Sequence, residues 1–363
     1  MSNRRIHREL LLALEGGRDM VQVSSCGGQT LFSLKSGQDL ALEMVETTWS
    51  EQHVHALQEA TTKALSGVTP GRGTGVCTFV LPEVSAELFL AVHHTPPLTM
   101  VICGGGHIAQ PLAVMAGMLD FKVVVIDDRP FFASKDLFPT ADEIICAPFV
   151  PALQSLPITP HVYAVIVTRG HRYDADCLRR LLGTPAAYLG MIGSRRRVID
   201  MKEMLAAEGV PKEQLAALYA PIGLAIGAET PAEIATSILA EVIKVKNLPL
   251  AQGGHGRRGA AGDLAVLRAI VHAEPGTPLA LTTIVNTWGS APRQAGAQML
   301  VYADGRTVGT IGGGCAESEV RNIALQAMQS VKTLFHTVDM TGSAHEDEGM
   351  ACGGKMLVHI APV

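Results

Sequence analysis

Short apolar runs alternate with stretches of helical period through the middle of the chain, and they predict strands separated by helices. Leu98-Thr-Met-Val-Ile-Cys103 reads as a buried strand, Gly104 to Gly106 as a turn, and Ile108 to Leu119 as a helix, apolar at 108, 112, 115, 116 and 119. Lys122 to Ile126 is the next strand, ending at Asp127-Asp128-Arg129-Pro130, so the segment forms a βαβ unit. Further strands are predicted at Glu143 to Cys146, Val162 to Val167 and Ala187 to Met191, with helices at Ala175 to Leu182 and Arg197 to Glu208. That alternation implies a parallel sheet. Thr230-Pro231-Ala-Glu233 opens one more helix, with Thr as N-cap, Pro in the first turn and Glu reaching back, ahead of the apolar run Ile234 to Ile243.

Residues 251–262 are glycine-rich without periodicity, the composition of a linker. Beyond them a helix (Asp263 to Ala273), a strand (Ala280 to Asn286), a loop, a strand (Ala297 to Tyr302), an Asp304-Gly305 turn and a helix around Glu317 to Met328 are expected. The N-terminus reads as a reduced copy of this segment. Glu9 to Gly17 precedes Met20 to Ser24, and Gly28-Gln-Thr-Leu-Phe-Ser-Leu-Lys-Ser-Gly37 parallels Ala297-Gln-Met-Leu-Val-Tyr-Ala-Asp-Gly305. An internal duplication accounts for this, as does chance similarity of two small α/β units. The copy lacks the Gly-Gly-Gly-Cys turn, and its last strand, expected at Ala86 to Val92, has no Cys-Gly-Gly in front of it. The expected domains are therefore 1–96, 97–250 and 263–363, joined by the linker 251–262.

A chain of 363 residues that is 47% hydrophobic but only 4% aromatic fits helices packed on buried strands, an α/β protein. Net charge is −5, and apart from Arg195-Arg196-Arg197 the cations are scattered, which argues against nucleic acid as a partner. No apolar run approaches the roughly 18 residues of a spanning helix, so no membrane segment is expected. Seven cysteines, no C-x-x-C pair and a polar N-terminus point to a cytoplasmic protein with reduced thiols.

The turn Gly104-x-Gly106-x-x-Ala109 between strand and helix, with Asp127 ending the next strand 21 residues after Gly106, has the layout of a dinucleotide fingerprint. A diphosphate would lie on the turn's amides and Asp127 would accept from a ribose, although such a fold often outlives its ligand. Thr168-Arg169-Gly170-His171 follows a strand. His171 is a general base, a metal ligand, or a loop histidine bonded to Asp174 or to a backbone carbonyl. Gly190-Met-Ile-Gly193-Ser194-Arg195 follows another strand and either binds phosphate or is a solvated basic helix start. In the C-terminal segment Gly312-Gly313-Gly314-Cys315-Ala-Glu317 places a thiol at or near a helix N-terminus, where the dipole favours the thiolate that ligates soft metals or carries sulfur. Gly289-Ser290-Ala-Pro-Arg293 offers a hydroxyl and a guanidinium. Cys352-Gly353-Gly354 is a second candidate thiol or a buried one. The acidic cluster from His345 to Glu348 reads as a solvated loop.

Gly289-Ser-x-Pro-Arg293, Gly309-Thr-Ile-Gly-Gly-Gly-Cys-x-Glu317 and Gly349-Met-x-Cys-Gly-Gly354 resemble the first domain of the xanthine dehydrogenase accessory proteins, the XdhC/CoxI family. Gly104-Gly-Gly-His107, Asp127-Asp-Arg129, Gly190-Met-Ile-Gly-Ser-Arg195 and the stretch from Ala220 to Ala235 resemble that family's Rossmann-like second domain. The resemblance implies an α/β protein in which a Rossmann-like parallel-sheet domain is flanked by smaller domains of XdhC/CoxI type. It implies a molybdenum cofactor (molybdopterin) chaperone rather than an enzyme, one that holds the cofactor while a cysteine desulfurase installs its sulfido ligand and delivers it to a molybdenum hydroxylase apoenzyme. A homodimer is expected from the family. By the family's motif Cys315 is the thiolate for molybdenum or its sulfur. The cofactor site then comprises Gly312, Gly313, Gly314, Cys315, Glu317, Ser290, Arg293, Cys352 and Gly353. On physical grounds Arg293, Ser290 and the 312–314 amides would take the dithiolene or phosphate end. Gly104, Gly106, His107, Asp127, Arg129, His171, Ser194 and Arg195 form the nucleotide-like site, for NAD(P) or another nucleotide. The chain departs from the pattern in its domain order, in Ala225 where the family has an acid, and in Cys26-Gly-Gly, whose position differs. Two other readings stand beside this one: an NAD(P)-dependent oxidoreductase with His171 as acid or base, and a sulfurtransferase carrying a persulfide on Cys315.

Overall fold

The computed structural model describes residues 2–25, 28–35, 41–66, 76–81, 85–247, 260–261, 264–340 and 354–363. The chain divides into two compact units, Met1–Pro96 with Arg257–Val363, and Pro97–Gly256. The terminal segments, which the sequence presents as separate domains, thus share one unit.

The first unit begins with α1 (Ser2–Glu15), β1 (Met20–Ser25), β2 (Gly28–Lys35), β3 (Ala41–Thr47), α2 (Glu51–Ser66), β4 (Val76–Leu81) and β5 (Ser85–Thr95). The middle unit contains β6 (Thr99–Cys103), α3 (Ala109–Met118), β7 (Lys122–Asp127), β8 (Glu143–Cys146), α4 (Phe149–Ser155), β9 (Val162–Ile166), α5 (His171–Leu181), β10 (Tyr188–Met191), α6 (Arg195–Ala207), α7 (Lys212–Ala216) and α8 (Pro231–Asn247). The chain then returns to the first unit with β11 (Ala260–Ala261), α9 (Leu264–His272), β12 (Leu279–Trp288), β13 (Gln298–Tyr302), β14 (Thr307–Gly309), α10 (Gly314–Ser330), β15 (Leu334–Asp339) and β16 (Lys355–Pro362).

The middle unit is a five-stranded sheet in the order β10-β9-β6-β7-β8, parallel throughout. Both faces are covered, which is why its strands are continuous apolar runs rather than alternating ones. One face packs Met100, Ile102, Val123 and Val125 against Leu112 of α3 and Ile238 of α8. The other packs Val101, Val124 and Ile166 against Phe149 of α4, Leu178 of α5 and Val198 of α6. Helix α8 starts with the capping box expected from the sequence: Glu233 N–H donates to Thr230 Oγ1 at 3.3 Å, and Thr230 N–H donates to Glu233 Oε2 at 3.0 Å.

In the terminal unit two sheets share an antiparallel five-strand order. The first runs β5-β1-β2-β3 with β4 on the outer edge of β5, where the two-residue β11 also pairs, parallel to β5, and apart from β11 it matches the second, which runs β14-β13-β12-β16-β15. Element by element, β1 matches β12, β2 matches β13, β3 matches β14, β4 matches β15 and β5 matches β16. Helix α2 or α10 stands between the third and fourth strand of each, and α1 or α9 precedes the first. The duplication is thus a repeated topology as well as a repeated pattern. The copies meet on the faces away from α2 and α10. Leu10 and Leu14 of α1 share a cluster with Leu267 of α9, and Leu90 and Val92 of β5 share another with Val285 of β12. The Arg4 guanidinium donates to the carbonyls of Ala273, Glu274 and Thr277, while Arg268 pairs with Glu15 at 3.0 Å. A small cavity of about 20 Å³ remains in this seam, lined among others by Gln22, Gln29, Thr283, Gln298 and His359.

Candidate functional site

Strand β12 carries the chain to one end of its sheet, where Trp288 pairs with Lys355 at the start of β16. Gly289, at φ 74°, turns the chain into the loop bearing Ser290, Pro292 and Arg293, all exposed. The base of that loop is closed by Gly296 N–H to the Ile284 carbonyl at 2.7 Å and Ile284 N–H to the Ala297 carbonyl at 2.9 Å. On one side Gly312, at φ 132°, lies so close that a Cβ there would overlap Pro292. On the other, a Cβ on Gly354 would overlap the Ser290 carbonyl, and Gly354 in turn accepts from Met340 N–H at 3.0 Å. Three motifs far apart in sequence therefore converge, and glycine is required at two contacts because backbone or proline ring stands where a side chain would go. Helix α10 begins at Gly314 and holds Cys315 in its first turn. Among the described residues, nothing lies within 4 Å of where a Cβ on Gly313, at φ 78°, would stand.

The sequence presents the oriented amides of this turn as donors to a ligand. In the structure Gly312 N–H and Gly313 N–H donate to Glu317 Oε1 at 3.2 and 2.9 Å, Ile311 N–H donates at 3.0 Å, and the Thr310 hydroxyl donates to the same oxygen. Glu317, in the first turn of α10, reaches back over the helix start. Burial works against its charge, but these four donors outweigh it and hold the carboxyl below its usual range. Glu317 is therefore a partner of the loop. Cys352 and Gly353, like Cys26 and the cluster at 345–348, lie outside the described residues. In the N-terminal copy the matching junction between β3 and α2 carries Trp49, which packs against Phe89 with ring centroids 5.8 Å apart. A bulky aromatic stands where the C-terminal copy has its glycines.

In the middle unit the nucleotide-like residues gather at the carboxyl ends of the parallel strands. Asp127, 1% exposed, accepts from Gly105 N–H at 2.8 Å, from Arg129 N–H at 3.0 Å and from the Arg129 side chain at 2.9 and 3.0 Å. Its carboxylate thus braces the glycine turn from within. A Cβ on Gly105 would overlap the Phe132 carbonyl, so the chain's own backbone packs against the turn at that residue, with the Arg129 guanidinium 3.7 Å from the Phe132 ring centroid. Gly104, at φ 111°, packs on the Val167 carbonyl. Gly106 is open and His107 exposed at the approach to α3.

His171, expected in a loop, opens α5. Asp174, fully buried in that helix's first turn, accepts from Thr168 Oγ1 at 2.5 Å and from the Arg197 guanidinium. Ser194 caps α6, accepting from Arg197 N–H at 3.3 Å, and Arg195 is exposed beside it. Two further groups escape a reading of the sequence. Arg169 forks Asp128 at 2.6 and 3.0 Å and donates to Tyr173 Oη at 2.8 Å; its hydrogen bonds hold the Asp128 carboxyl below its usual range. Glu241 Oε2 accepts from Tyr188 Oη at 2.6 Å and from Gly223 N–H at 3.0 Å, tying down the Pro221-to-Leu224 loop. Ala225, where the family has an acid, is exposed. Asp128 and Arg169 stand in motifs at strand ends, but nothing in the sequence pairs them, and Glu241 lies within a regular helical run that does not single it out.

The profile of the XdhC Rossmann domain matches residues 100–242, and that of the XdhC and CoxI family matches residues 272–339. An uncharacterised Escherichia coli K12 protein, YqeB, is 35% identical over 56% of this chain and 37% of its own length. A Bacillus subtilis protein described as a probable component of xanthine dehydrogenase is 33% identical over 47% of this chain and 50% of its own. The chain thus spans half or less of these curated relatives. A Bacillus halodurans crystal structure, described as a xanthine dehydrogenase, is 25% identical over 66% of this chain and 62% of that one, with a TM-score of 0.45. With both profiles of one family matched in tandem over more than half its length, the chain belongs to the XdhC/CoxI family.

Proposed function

We propose that the chain is an accessory factor in the maturation of a molybdenum hydroxylase of xanthine dehydrogenase type, and that its C-terminal segment binds the molybdenum cofactor. The observation that carries this reading is the convergence of the 289–293 loop, the Gly312-to-Cys315 turn and Gly354 around the start of α10. The residues present suit such a cargo. A thiol in the first turn of a helix is favoured as thiolate by the aligned amides, and thiolate is a soft ligand matched to molybdenum or its sulfur. Gly313 and exposed Gly314 present no side chain to obstruct approach. Arg293 on the facing loop supplies a planar cation for a phosphate, and Ser290 a hydroxyl. With the 311–313 amides committed to Glu317, the anionic end of the cargo falls to Arg293. The cofactor supplies the molybdenum and dithiolene chemistry; this chain binds, orients and shields it for a cysteine desulfurase and then a hydroxylase apoenzyme.

Against the oxidoreductase reading stands the Asp127 carboxylate, which is engaged by Gly105 N–H and by Arg129 rather than free for a ribose hydroxyl. The deciding experiment compares molybdenum by elemental mass spectrometry and oxidised-pterin fluorescence in wild type and Cys315→Ala, purified anaerobically from a cofactor-producing host. Metal and pterin together in wild type and absent from a folded Cys315→Ala are expected. Equal retention by both removes Cys315 from the site, and a persulfide on Cys315 without pterin favours sulfur transfer instead.

A further inference from the structure

Three consecutive backbone N–H groups, those of Ile311, Gly312 and Gly313, converge on one oxygen, Glu317 Oε1, at 3.0, 3.2 and 2.9 Å, with the Thr310 hydroxyl as a fourth donor. Thr310 also accepts from Gly312 N–H at 3.1 Å, so hydroxyl, loop and carboxylate form one closed network. Converging amides of this kind make an anion-binding nest, the arrangement that holds phosphate in many proteins. Here the nest holds a carboxylate of its own chain. Three successive residues, Gly312, Gly313 and Gly314, sit at φ 132°, 78° and 67°, a run of left-handed backbone that amide-to-solvent bonding alone would not single out. Each hydrogen bond to the charged oxygen favours this arrangement over the many others that glycines permit.

We propose that Glu317 is a positioning residue: a built-in anion that closes the glycine nest, fixes the loop against Pro292 and so sets where Cys315 stands at the head of α10. The nest is thereby shut to phosphate and other small anions, and among the described residues orientation of the cargo falls to Cys315, Arg293 and Ser290. The role deepens the proposed function, yet it is read from geometry that holds whatever Cys315 carries. A purely electrostatic role is the competing account. A carboxylate two residues from a thiol opposes thiolate formation, so removing only its charge would quicken the thiol.

The full-length chain tests this without molybdenum. Alkylation of Cys315 by iodoacetamide at pH 7 is followed by peptide mass spectrometry, which separates it from the other six cysteines, in wild type, Glu317→Gln and Glu317→Ala. Glu317→Gln keeps an oxygen for the three amides, and its rate is expected within about twofold of wild type. Glu317→Ala empties the nest, and the first turn of α10 is expected to fray with a roughly tenfold slower reaction. Formate, a carboxylate small enough for the emptied nest, is expected to restore the Ala variant's rate and to leave wild type unchanged. Faster alkylation in both variants, or a folded Ala variant at the wild-type rate, overturns the proposal; so does a slowed one that formate does not restore. Should Glu317→Ala fail to fold, Glu317→Asp, one methylene short of the nest, takes its place: slower alkylation is expected, and a folded Asp variant at the wild-type rate or faster overturns the proposal. Loss of the cofactor reading would leave these rates untouched, so the two failures are distinguishable.

Discussion

Glycine at 312 and glycine at 354 are required for different reasons from glycine at 313, and the difference is measurable. A Cβ on Gly354 would meet the Ser290 and Trp288 carbonyls, backbone atoms that cannot rotate away. Gly354→Ala should cost about 2–3 kcal/mol in urea denaturation. Gly313, at φ 78°, has no described residue where its Cβ would stand, so Gly313→Ala should cost only the left-handed penalty, about 1–2 kcal/mol. Equal losses at the two positions would mean that the 289–293 loop does not lean on Gly354. The motif letters alone mark all these glycines alike. Which of them is packed, and against which backbone, follows only from the meeting of segments some 60 residues apart. Glu317 shows the same limit: its place in the motif is legible, its use of the neighbouring amides is not.

Among the elements, the β6–α3 turn is legible from pattern, because a five-residue apolar strand, glycines and a helical run need no partner to be recognised. Its occupancy is not. Asp127 has the sequence position of a ribose acceptor, but the chain folds Arg129 and Phe132 back over the turn and uses the carboxylate itself. Titration of NAD+ or NADP+ into the protein is therefore expected to give no saturable signal at millimolar concentration, about the −4 kcal/mol threshold of weak specific binding. Saturation below that, abolished by Asp127→Asn, would restore the oxidoreductase reading. Helix α8 is the converse case. Its cap is local and therefore legible, and Thr230→Ala should cost about 1 kcal/mol.

In the terminal unit as a whole, two copies bury histidines between them. Burial pushes His94 down to about 3, with His93 and His7 adding repulsion, and pushes His359 down to about 4. Both are neutral when folded and take up protons near their ordinary value of about 6.5 once unfolded. Their contribution is therefore complete above that value and is lost as pH falls toward 4, with a slope of about 1.4 kcal/mol per pH unit for each histidine. Urea midpoints measured from pH 7 to pH 5 should fall accordingly, and His359→Leu should flatten the decline; an unchanged slope would place His359 in water. Sequence by itself determined the parallel sheet, the capping of α8, the family and the thiol-bearing turn, because periodicity, caps and glycine spacing act over a few neighbouring residues. Tertiary structure alone decided that the terminal segments form one unit, that Trp49 fills the silent copy's junction, and that Glu317 and Asp127 are spent inside the protein. Those outcomes depend on which donors and surfaces meet across long stretches of chain, and local pattern carries no record of that.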